Sequence, residues 1–362
     1  MLTDPAPETT CALCGKQSIL ISKTLGVCLD CIRKAPDDAL KRAGKAHQRS
    51  RRAFGLPARP PQEGAARCHF CANECAIPEG EKGYCGLREN RGGKLRHLAG
   101  TRAKGLVSWY HDPLPTNCVA DWVCPGGSDG GYPDFSHSSG PEYGYKNLAV
   151  FYQACSFDCL FCQNWHFRQA DPQGSGHSAA ELAKAVDQKT SCICYFGGDP
   201  SPQIAHALAA SRMAQERAQG RILRICWETN GSVSRPLLER MAAFSMKSGG
   251  CIKFDLKTYD EQLNIALCGV SNRRTLENFA QLASLIPQRP GPPLLIASTS
   301  HFPRRLTPTT DWLVRRPTKA SESSWKMLRS QRTSTFMKVW PTRLARRPRA
   351  MVSTSGNSGI VQ

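Results

Sequence analysis

Three cysteines in the middle of the chain have the spacing of an iron–sulfur cluster site. Cys155, Cys159 and Cys162 form a C-x-x-x-C-x-x-C pattern directly after an apolar run that predicts a buried strand. Three thiolates on one loop can hold three irons of a 4Fe-4S cubane, so the fourth iron keeps an open coordination site. A ligand with an amino and a carboxylate group can chelate that iron. Alternatively, a fourth cysteine from elsewhere closes the cluster, which is then a simple electron carrier.

Polar residues end each of the next three predicted strands, and glycines accompany them in two of the three. YFGGDP ends the second strand, WETNG ends the third and KFDLK ends the fourth. Glycines allow the backbone to approach a ligand closely, and a barrel enzyme builds its site at the carboxyl ends of its strands. The residues expected at this site are Gly197, Gly198, Asp199, Glu228, Asn230, Asp255 and Lys257.

Two C-x-x-C pairs near the N-terminus predict a zinc site. The two pairs are separated by 13 residues and together supply four thiolates, which is enough for tetrahedral zinc. The metal would let a module of about 30 residues fold with little hydrophobic core. The expected ligands are Cys11, Cys14, Cys28 and Cys31.

A second set of four cysteines lies in the segment CHFCANECAIPEGEKGYCGLREN. Four thiolates suit either zinc or a second iron–sulfur cluster, and the spacing leaves both alternatives open. The expected ligands are Cys68, Cys71, Cys75 and Cys85.

The use of cysteine favours metal ligation over disulfide bonds. The first residues, Met1 to Thr10, carry acidic side chains and no apolar run, so a secretory signal is not expected. No run of about 18 apolar residues predicts a membrane span. We therefore expect a cytoplasmic location, where thiols are kept reduced.

The formal net charge of +19 does not by itself indicate a nucleic-acid-binding protein. Residues 300–362 hold 13 Lys and Arg against 2 Asp and Glu, which places +11 of the total in this segment. The excess accompanies no nucleic-acid-reading motif. Nucleic acid is therefore not an expected partner.

Short apolar runs alternate with helical patterns between residues 148 and 299. Such alternation predicts βα units around a parallel sheet, in a barrel-type arrangement. The predicted strands are Leu148–Ala154, Cys192–Gly197, Ile222–Trp227, Cys251–Leu256 and Leu294–Ser298. The predicted helices are Ala179–Gln188, Pro202–Ala218, Arg235–Phe244 and Arg273–Leu285.

Changes in composition divide the chain into five predicted segments. Residues 1–40 are a zinc-ribbon-like module, 41–66 a basic linker, 67–147 a Cys-rich extension and 148–299 the partial barrel. Residues 300–362 lose all periodicity and are rich in Arg, Pro, Ser and Thr. This last segment is expected to be disordered, or to result from translation out of frame.

The cysteine loop and the strand-end motifs resemble those of the radical SAM superfamily. Phe161 just before the last cysteine and the GGDP sequence are typical of it, and DLK at Asp255–Lys257 resembles the pyruvate formate-lyase activating enzyme branch. YHDPLPTNCVADWVCPGG and PEYGYKNLAVFYQACSFDCLFCQNW are similar to the enzymes linked to the AmmeMemoRadiSam system. The resemblance covers about residues 67–298.

The resemblance implies a partial (β/α) barrel of radical SAM type and a reductive cleavage of S-adenosylmethionine. The cleavage yields a 5′-deoxyadenosyl radical that abstracts a hydrogen atom, as in the activation of glycyl-radical enzymes. It implies an electron donor such as flavodoxin or ferredoxin, and a protein or a small molecule as substrate. The alternative is an iron–sulfur and zinc module that carries electrons or binds a partner without this chemistry.

The resemblance also implies roles for individual residues. Cys155, Cys159 and Cys162 would ligate the cluster, and Phe161 would pack near the adenine. The catalytic residues would be Asp255 and Lys257. The residues implied at the methionine end and at the other polar groups of the cofactor are Gly197, Gly198, Asp199, Glu228 and Asn230.

Overall fold

A computed structural model describes residues 8–116, 118–289, 291–299 and 335–338. The first part forms a small module with a two-stranded sheet and two helices. Its elements are β1 (Thr9–Thr10), β2 (Gln17–Ser18), α1 (Leu29–Lys34) and α2 (Pro36–Arg52). The following Cys-rich part contains two antiparallel hairpins, β3 (Ala66–Arg67) with β4 (Ala76–Ile77) and β5 (Arg88–Arg91) with β6 (Lys94–His97).

The main body is a seven-stranded sheet whose order follows the chain. Its strands are β7 (Val107–Pro113), β8 (Lys146–Tyr152), β9 (Thr190–Gly197), β10 (Arg224–Thr229), β11 (Ile252–Leu256), β12 (Leu295–Thr299) and β13 (Thr335–Lys338). Strands β8 to β12 are parallel, and β7 and β13 add one antiparallel strand at each edge.

Helices connect the parallel strands and cover one face of the sheet. They are α3 (Ala179–Lys184), α4 (Ile204–Ala218), α5 (Arg235–Ser248), α6 (Glu261–Cys268) and α7 (Arg273–Leu285), with 3₁₀ turns at Trp165–Gln169, Ser201–Gln203 and Ile286–Gln288. Sequence signals fix several helix ends. Ser178 and Glu181 form a capping box before α3, and Gly249 and Gly269 adopt the left-handed conformation after α5 and α6.

Alternate residues of the strands face opposite sides of the sheet. One row packs against the helices and forms the main core, in which the Tyr195 and Trp227 rings stack with centroids 4.7 Å apart. The other row faces the interior of the curved sheet and carries Cys194, Cys226 and Lys253. The predicted α/β fold, with a parallel sheet after a Cys-rich module, is confirmed.

Helix α2 extends over the first part, residues 41–52, of the segment 41–66 that was predicted as a linker. The segment is helical to Arg52 because Ala39, Ala43 and Ala46, at helical spacing, bury a stripe of small side chains. This stripe packs with Leu263 and Ala266 of α6. The basic residues that indicated a linker cover much of the remainder of the helix.

The ends of the predicted strands and of helices α4 and α7 differ from the observed ends by two residues at most. Helix α3 ends four residues before the prediction and α5 continues four residues beyond it, while α6 was not predicted. Within the basic segment 300–362 the structure describes strand β13, and the prediction for the rest of that segment lies outside the described residues. None of the helices in the described part has the length and apolarity to cross a membrane.

Candidate functional site

A cavity of about 320 Å³ opens at the carboxyl ends of β8 to β11. It brings together the cysteine loop and all the strand-end residues that the sequence predicted. Its lining includes Cys155, Cys159, Phe161, Cys162, Gly197, Gly198, Asp199, Glu228, Asn230, Asp255 and Lys257, with Phe157, Gln163, Asn164, Phe167, Phe196 and Thr229. The carboxyl ends of neighbouring parallel strands meet at one edge of the sheet, which explains the convergence.

The cluster loop, residues 153–164, leaves β8 through a sharp change of backbone direction. Ala154 has a φ of +67°, a left-handed conformation that is uncommon for alanine and is typical of functional sites. The Cys155 and Cys159 side chains are buried, and Cys162 is partly exposed. Three thiols of one loop thus face one cavity, which is the donor set of a cubane with one open iron.

Gly197 and Gly198 are required by the cluster loop itself. A Cβ atom on Gly198 would lie 2.1 Å from the Ala154 carbonyl oxygen, and one on Gly197 would lie 2.6 Å from the Tyr152 nitrogen. Gly197 also has a φ of +110°. These glycines were expected to allow the close approach of a ligand. In the structure it is the backbone of Tyr152 and Ala154 that lies close to them.

Asp199 forms hydrogen bonds with residues that follow β8, β9 and β10. Its side chain is buried, and one carboxylate oxygen accepts hydrogen bonds from the Thr229 hydroxyl at 2.7 Å and the Asn230 backbone N–H at 3.0 Å. The other oxygen accepts the Ser201 N–H at 3.0 Å and the Ser156 hydroxyl at 3.4 Å. Burial raises the pKa of Asp199 above its ordinary value, against the effect of these donors.

Asn230 reaches the cluster loop from the end of β10. Its amide nitrogen donates to the Ser156 hydroxyl oxygen at 2.8 Å and lies 3.7 Å from the Cys155 sulfur. Its amide oxygen accepts the Ser232 N–H at 3.0 Å. The Asn230 side chain is thereby fixed beside a predicted cluster ligand.

The mouth of the cavity carries an ion pair beside an exposed aromatic ring. Asp255 and Lys257 form a salt bridge at the end of β11, and the Lys257 Nζ atom lies 5.7 Å from the centroid of Phe161. Burial lowers the pKa of Lys257, but the Asp255 carboxylate and the Cys159 thiolate outweigh it and raise the pKa. The Phe161 ring is 46% exposed, so it is available to a ligand.

A buried lysine, which the sequence analysis did not single out, supports Glu228 from below. Lys253 Nζ lies 2.9 Å from the Cys194 sulfur, 3.1 Å from the Cys118 sulfur and 3.5 Å from a Glu228 carboxylate oxygen. Burial lowers the pKa of Lys253, yet the surrounding thiolates and the carboxylate hold it well above the ordinary value. Lys253 is therefore an internal ammonium that holds Glu228, a residue of the cavity lining, among negative partners.

Asp158, between the first two cysteines, holds the cluster loop to the rest of the chain. Its fully buried carboxylate pairs with Arg168 at 2.8 Å and accepts a hydrogen bond of 2.8 Å from His47 of α2. His47 also contacts the Ala266 carbonyl oxygen of α6 at 3.1 Å. The sequence gives little sign of this role, because His47 lies 111 residues away.

Cys268 is a further thiol beside the cluster loop. Its sulfur lies 3.5 Å from that of Cys159, and its side chain is fully buried at the end of α6. Cys268 does not line the cavity, and its backbone oxygen accepts the Asp158 N–H at 2.9 Å. It therefore lies behind Cys159, outside the lining of the cavity.

The first cysteine set converges on a single point. The sulfur atoms of Cys11, Cys14, Cys28 and Cys31 all lie within 4.8 Å of one another. The distance is 3.7 Å between the sulfurs of Cys11 and Cys31 and 3.7 Å between those of Cys14 and Cys28. This group can hold one metal ion.

The second cysteine set, Cys68, Cys71, Cys75 and Cys85, lines a separate small cavity beside the cluster loop. In the part of the chain that the structure describes, only the first cysteine set brings three or more ligand atoms within 4.8 Å of one another. The second set is thus gathered around one space but is spread more widely than the first.

Comparison with known proteins assigns a family to the sheet that carries the site. Residues 149–289 match the family model described as Radical SAM superfamily, so the chain carries a radical SAM domain. An uncharacterized protein of Methanocaldococcus jannaschii is 31% identical over 184 residues, which are 50% of this chain and 47% of that protein. A second uncharacterized protein of that organism is 24% identical over 39% of this chain and 33% of its own length.

The similarity extends to a named enzyme. Pyruvate formate-lyase 1-activating enzyme of Escherichia coli K12 is 27% identical over 146 residues, 37% of this chain and 55% of the enzyme, and is a distant homologue. The chain spans about half the length of the curated relatives that it matches. The radical SAM domain implies a 4Fe-4S cluster and S-adenosylmethionine, and supports an enzymatic function.

Proposed function

We propose that this radical SAM domain reductively cleaves S-adenosylmethionine and uses the product radical to abstract a hydrogen atom from a substrate. When bound, the 4Fe-4S cluster and S-adenosylmethionine supply the electron and the 5′-deoxyadenosyl radical. The observation that carries the proposal is the convergence of three loop thiols with the Gly-Gly-Asp and strand-end polar residues on one cavity. The residues proposed for the cluster and for S-adenosylmethionine line one cavity.

The chain's own residues would bind and orient the cofactors. Cys155, Cys159 and Cys162 are the proposed cluster ligands, and Asn230 steadies Cys155 through its amide. Both carboxylate oxygens of Asp199 accept hydrogen bonds from protein donors, so we propose that Asp199 positions the cluster loop and the strand ends. Preorganised groups of this kind hold reactants in register.

The exposed mouth of the cavity is the proposed nucleoside side. Phe161 offers an open ring face for an adenine, and the Lys257–Asp255 pair beside it offers a donor and an acceptor. Glu228 presents its carboxylate to the cavity while Lys253 fixes it from below. Gly197 and Gly198 bring backbone groups to the methionine end.

We further propose a reaction of the activating-enzyme type, with abstraction of hydrogen from a glycyl residue of a partner protein. The similarity to the Escherichia coli enzyme supports this assignment. One electron would come from a donor such as flavodoxin or ferredoxin. The Phe161 ring at the mouth of the cavity is exposed, which supports a large substrate.

The test is anaerobic formation of 5′-deoxyadenosine. The protein is reconstituted with iron and sulfide, reduced with dithionite and incubated with S-adenosylmethionine. We expect product from the parent chain and from Cys192→Ala, a buried thiol that does not line the cavity, but none from Cys159→Ala. Absence of product from a parent chain with an intact, reducible cluster would refute the proposal.

An electron carrier without this chemistry is the competing function, and Cys268 is the observation that bears on it. If Cys268 were the fourth ligand, it would close the cluster. Its position behind Cys159 and outside the cavity favours an open iron. We therefore expect Cys268→Ala to keep its cluster and its 5′-deoxyadenosine formation, whereas a closed cluster would lose iron in this variant.

We propose zinc as the metal of the first cysteine set. Tetrahedral zinc with Zn–S bonds of about 2.3 Å places its sulfurs about 3.8 Å apart, and two of the sulfur pairs lie at 3.7 Å. Metal analysis of the parent chain should give about one zinc per chain, and Cys14→Ser should lower that content. Zinc content unchanged in Cys14→Ser would exclude this site.

A further inference from the structure

The second cysteine set builds an enclosed site next to the radical SAM cavity. Cys68, Cys71 and Cys75 lie on the loop between β3 and β4, and Cys85 lies in the turn before β5. Cys68 and Cys75 are buried, and Cys71 and Cys85 are partly exposed. The residues that line it are Cys68, Phe70, Cys71, Asn73, Cys75, Gly83, Tyr84, Cys85, Arg88 and Pro202.

A buried arginine faces this space. The Arg88 side chain is 1% exposed, and in the described part of the chain no carboxylate forms a salt bridge with it. Its terminal nitrogens donate to the backbone oxygens of Leu87, Ala99 and Pro202, and its Cζ atom lies 4.5 Å from the centroid of the Phe70 ring. Its Nε atom has no hydrogen-bond partner among the described residues. A buried charge without a counterion is destabilising. Arg88 lines the cavity, so an anion bound there would be its counterion.

A backbone donor is also directed at one of the sulfurs. The Tyr84 N–H donates to the Cys75 sulfur at 3.4 Å. Hydrogen bonds of this kind stabilise metal-bound thiolates and tune iron–sulfur clusters. A donor of this kind suits a metal-bound thiolate at Cys75.

The spread of the sulfurs separates a single ion from a cluster. Around one zinc ion four sulfurs would approach one another to about 3.8 Å, as the first cysteine set does. A cubane puts its four irons at separate corners, so its thiolates lie farther apart. Among the described residues the second set brings no three sulfurs within 4.8 Å, and the proposed ligands of the radical SAM cluster behave in the same way.

We propose that Cys68, Cys71, Cys75 and Cys85 hold a second iron–sulfur cluster of the 4Fe-4S type. Four cysteine ligands leave no open iron, so this cluster carries single electrons and does not bind S-adenosylmethionine. The Arg88 guanidinium balances part of its negative charge. The site lies against the first cluster loop, since Asn73 Nδ2 donates to the Ser156 carbonyl oxygen at 2.7 Å and Cys85 and Cys155 line a common cleft.

The test separates this cluster from the radical SAM cluster by mutation. The full chain and the triple variant Cys155→Ala/Cys159→Ala/Cys162→Ala are reconstituted anaerobically with iron and sulfide in the presence of zinc. Iron, sulfide and zinc are then measured per chain, and electron paramagnetic resonance spectra of the reduced proteins are recorded with and without S-adenosylmethionine.

We expect about eight irons in the parent chain and about four in the triple variant. The spectrum of the triple variant should not change when S-adenosylmethionine is added, because its remaining cluster has no open iron. A triple variant that folds but holds no iron, with about two zinc ions per chain, would overturn the proposal.

If the triple variant does not fold, metal analysis of the parent chain decides the question. About eight irons with one zinc supports a second cluster, whereas about four irons with two zinc ions refutes it. Formation of 5′-deoxyadenosine is measured separately. A parent chain with two clusters and no product would refute the proposed function while leaving this inference intact.

Discussion

Replacing Gly198 by alanine tests whether the Gly-Gly pair positions the cluster loop. The new Cβ would lie 2.1 Å from the Ala154 carbonyl oxygen and 2.8 Å from the Phe167 Cβ atom. Contacts below 3.0 Å do not occur for real Cβ atoms, so β9 and the loop must separate by about 0.9 Å. Neither obstacle is the flexible end of a side chain, so the backbone has to move.

A shift of this size next to Cys155 should impair catalysis more than folding. Displacement by about 1 Å can lower a rate about 100-fold, whereas overpacking of this kind destabilises a fold by about 1 to 3 kcal/mol. We expect Gly198→Ala to fold, to hold less iron and to form 5′-deoxyadenosine about 100-fold more slowly. The assays are thermal unfolding, iron content and product formation on the same preparation.

Gly140→Ala is the matched control. A Cβ at that position meets nothing within 4 Å, and Gly140 lies outside the cavity lining. Its iron content and rate should equal those of the parent chain. If Gly198→Ala also matched the parent in both, the close approach of Gly198 to the cluster loop would have no functional consequence, and our account of the motif would be wrong.

Three further variants test separate parts of the structure. Asp158→Asn should destabilise the fold by about 3 to 5 kcal/mol in urea unfolding, because it leaves Arg168 buried without its charged partner; Asp171→Asn, on the exposed surface, should not. Phe161→Leu should weaken binding of S-adenosylmethionine by about 2- to 10-fold at unchanged iron content, since an aromatic contact contributes about 0.5 to 1.5 kcal/mol; unchanged affinity would exclude the stacking role. Glu142→Gln should flatten the acid side of the stability–pH curve: burial raises the pKa of Glu142, but its pair with Arg224 outweighs this and lowers the pKa below 4.5. The stabilisation from the Glu142–Arg224 pair is present above pH 4.5 and is lost as the pH falls through the lower pKa of the folded state. If Glu142→Gln lost stability as steeply as the parent below pH 4.5, this explanation would be wrong.

The sequence predicts the sheet well because each strand is a short apolar run followed by a helical pattern. Hydrophobic burial decides these elements locally, and the carboxyl ends of parallel strands must then lie side by side. The convergence of Gly198, Glu228 and Asp255 on one cavity follows from that topology alone. The match of residues 149–289 to the radical SAM family agrees with it.

The elements that the sequence analysis missed depend on partners far away in the chain. Helix α2 is stabilised by a stripe of alanines that contacts α6, so its charged composition alone resembles a linker. Asp158 gains its role from His47, and Cys268 stands beside Cys159 over 100 residues away. No local pattern encodes such contacts, because they arise only when the chain has folded.

The packing of α2 on α6 has a consequence for the order in which the protein can be assembled on the ribosome. The N-terminal module is synthesised first, but its docking surface, Leu263 and Ala266, appears only after the cysteine loop has been made. Until then, His47 cannot reach the Ala266 oxygen, and Cys268 does not yet stand behind Cys159. The residues that cover the back of the loop are therefore complete only after α6 has been synthesised.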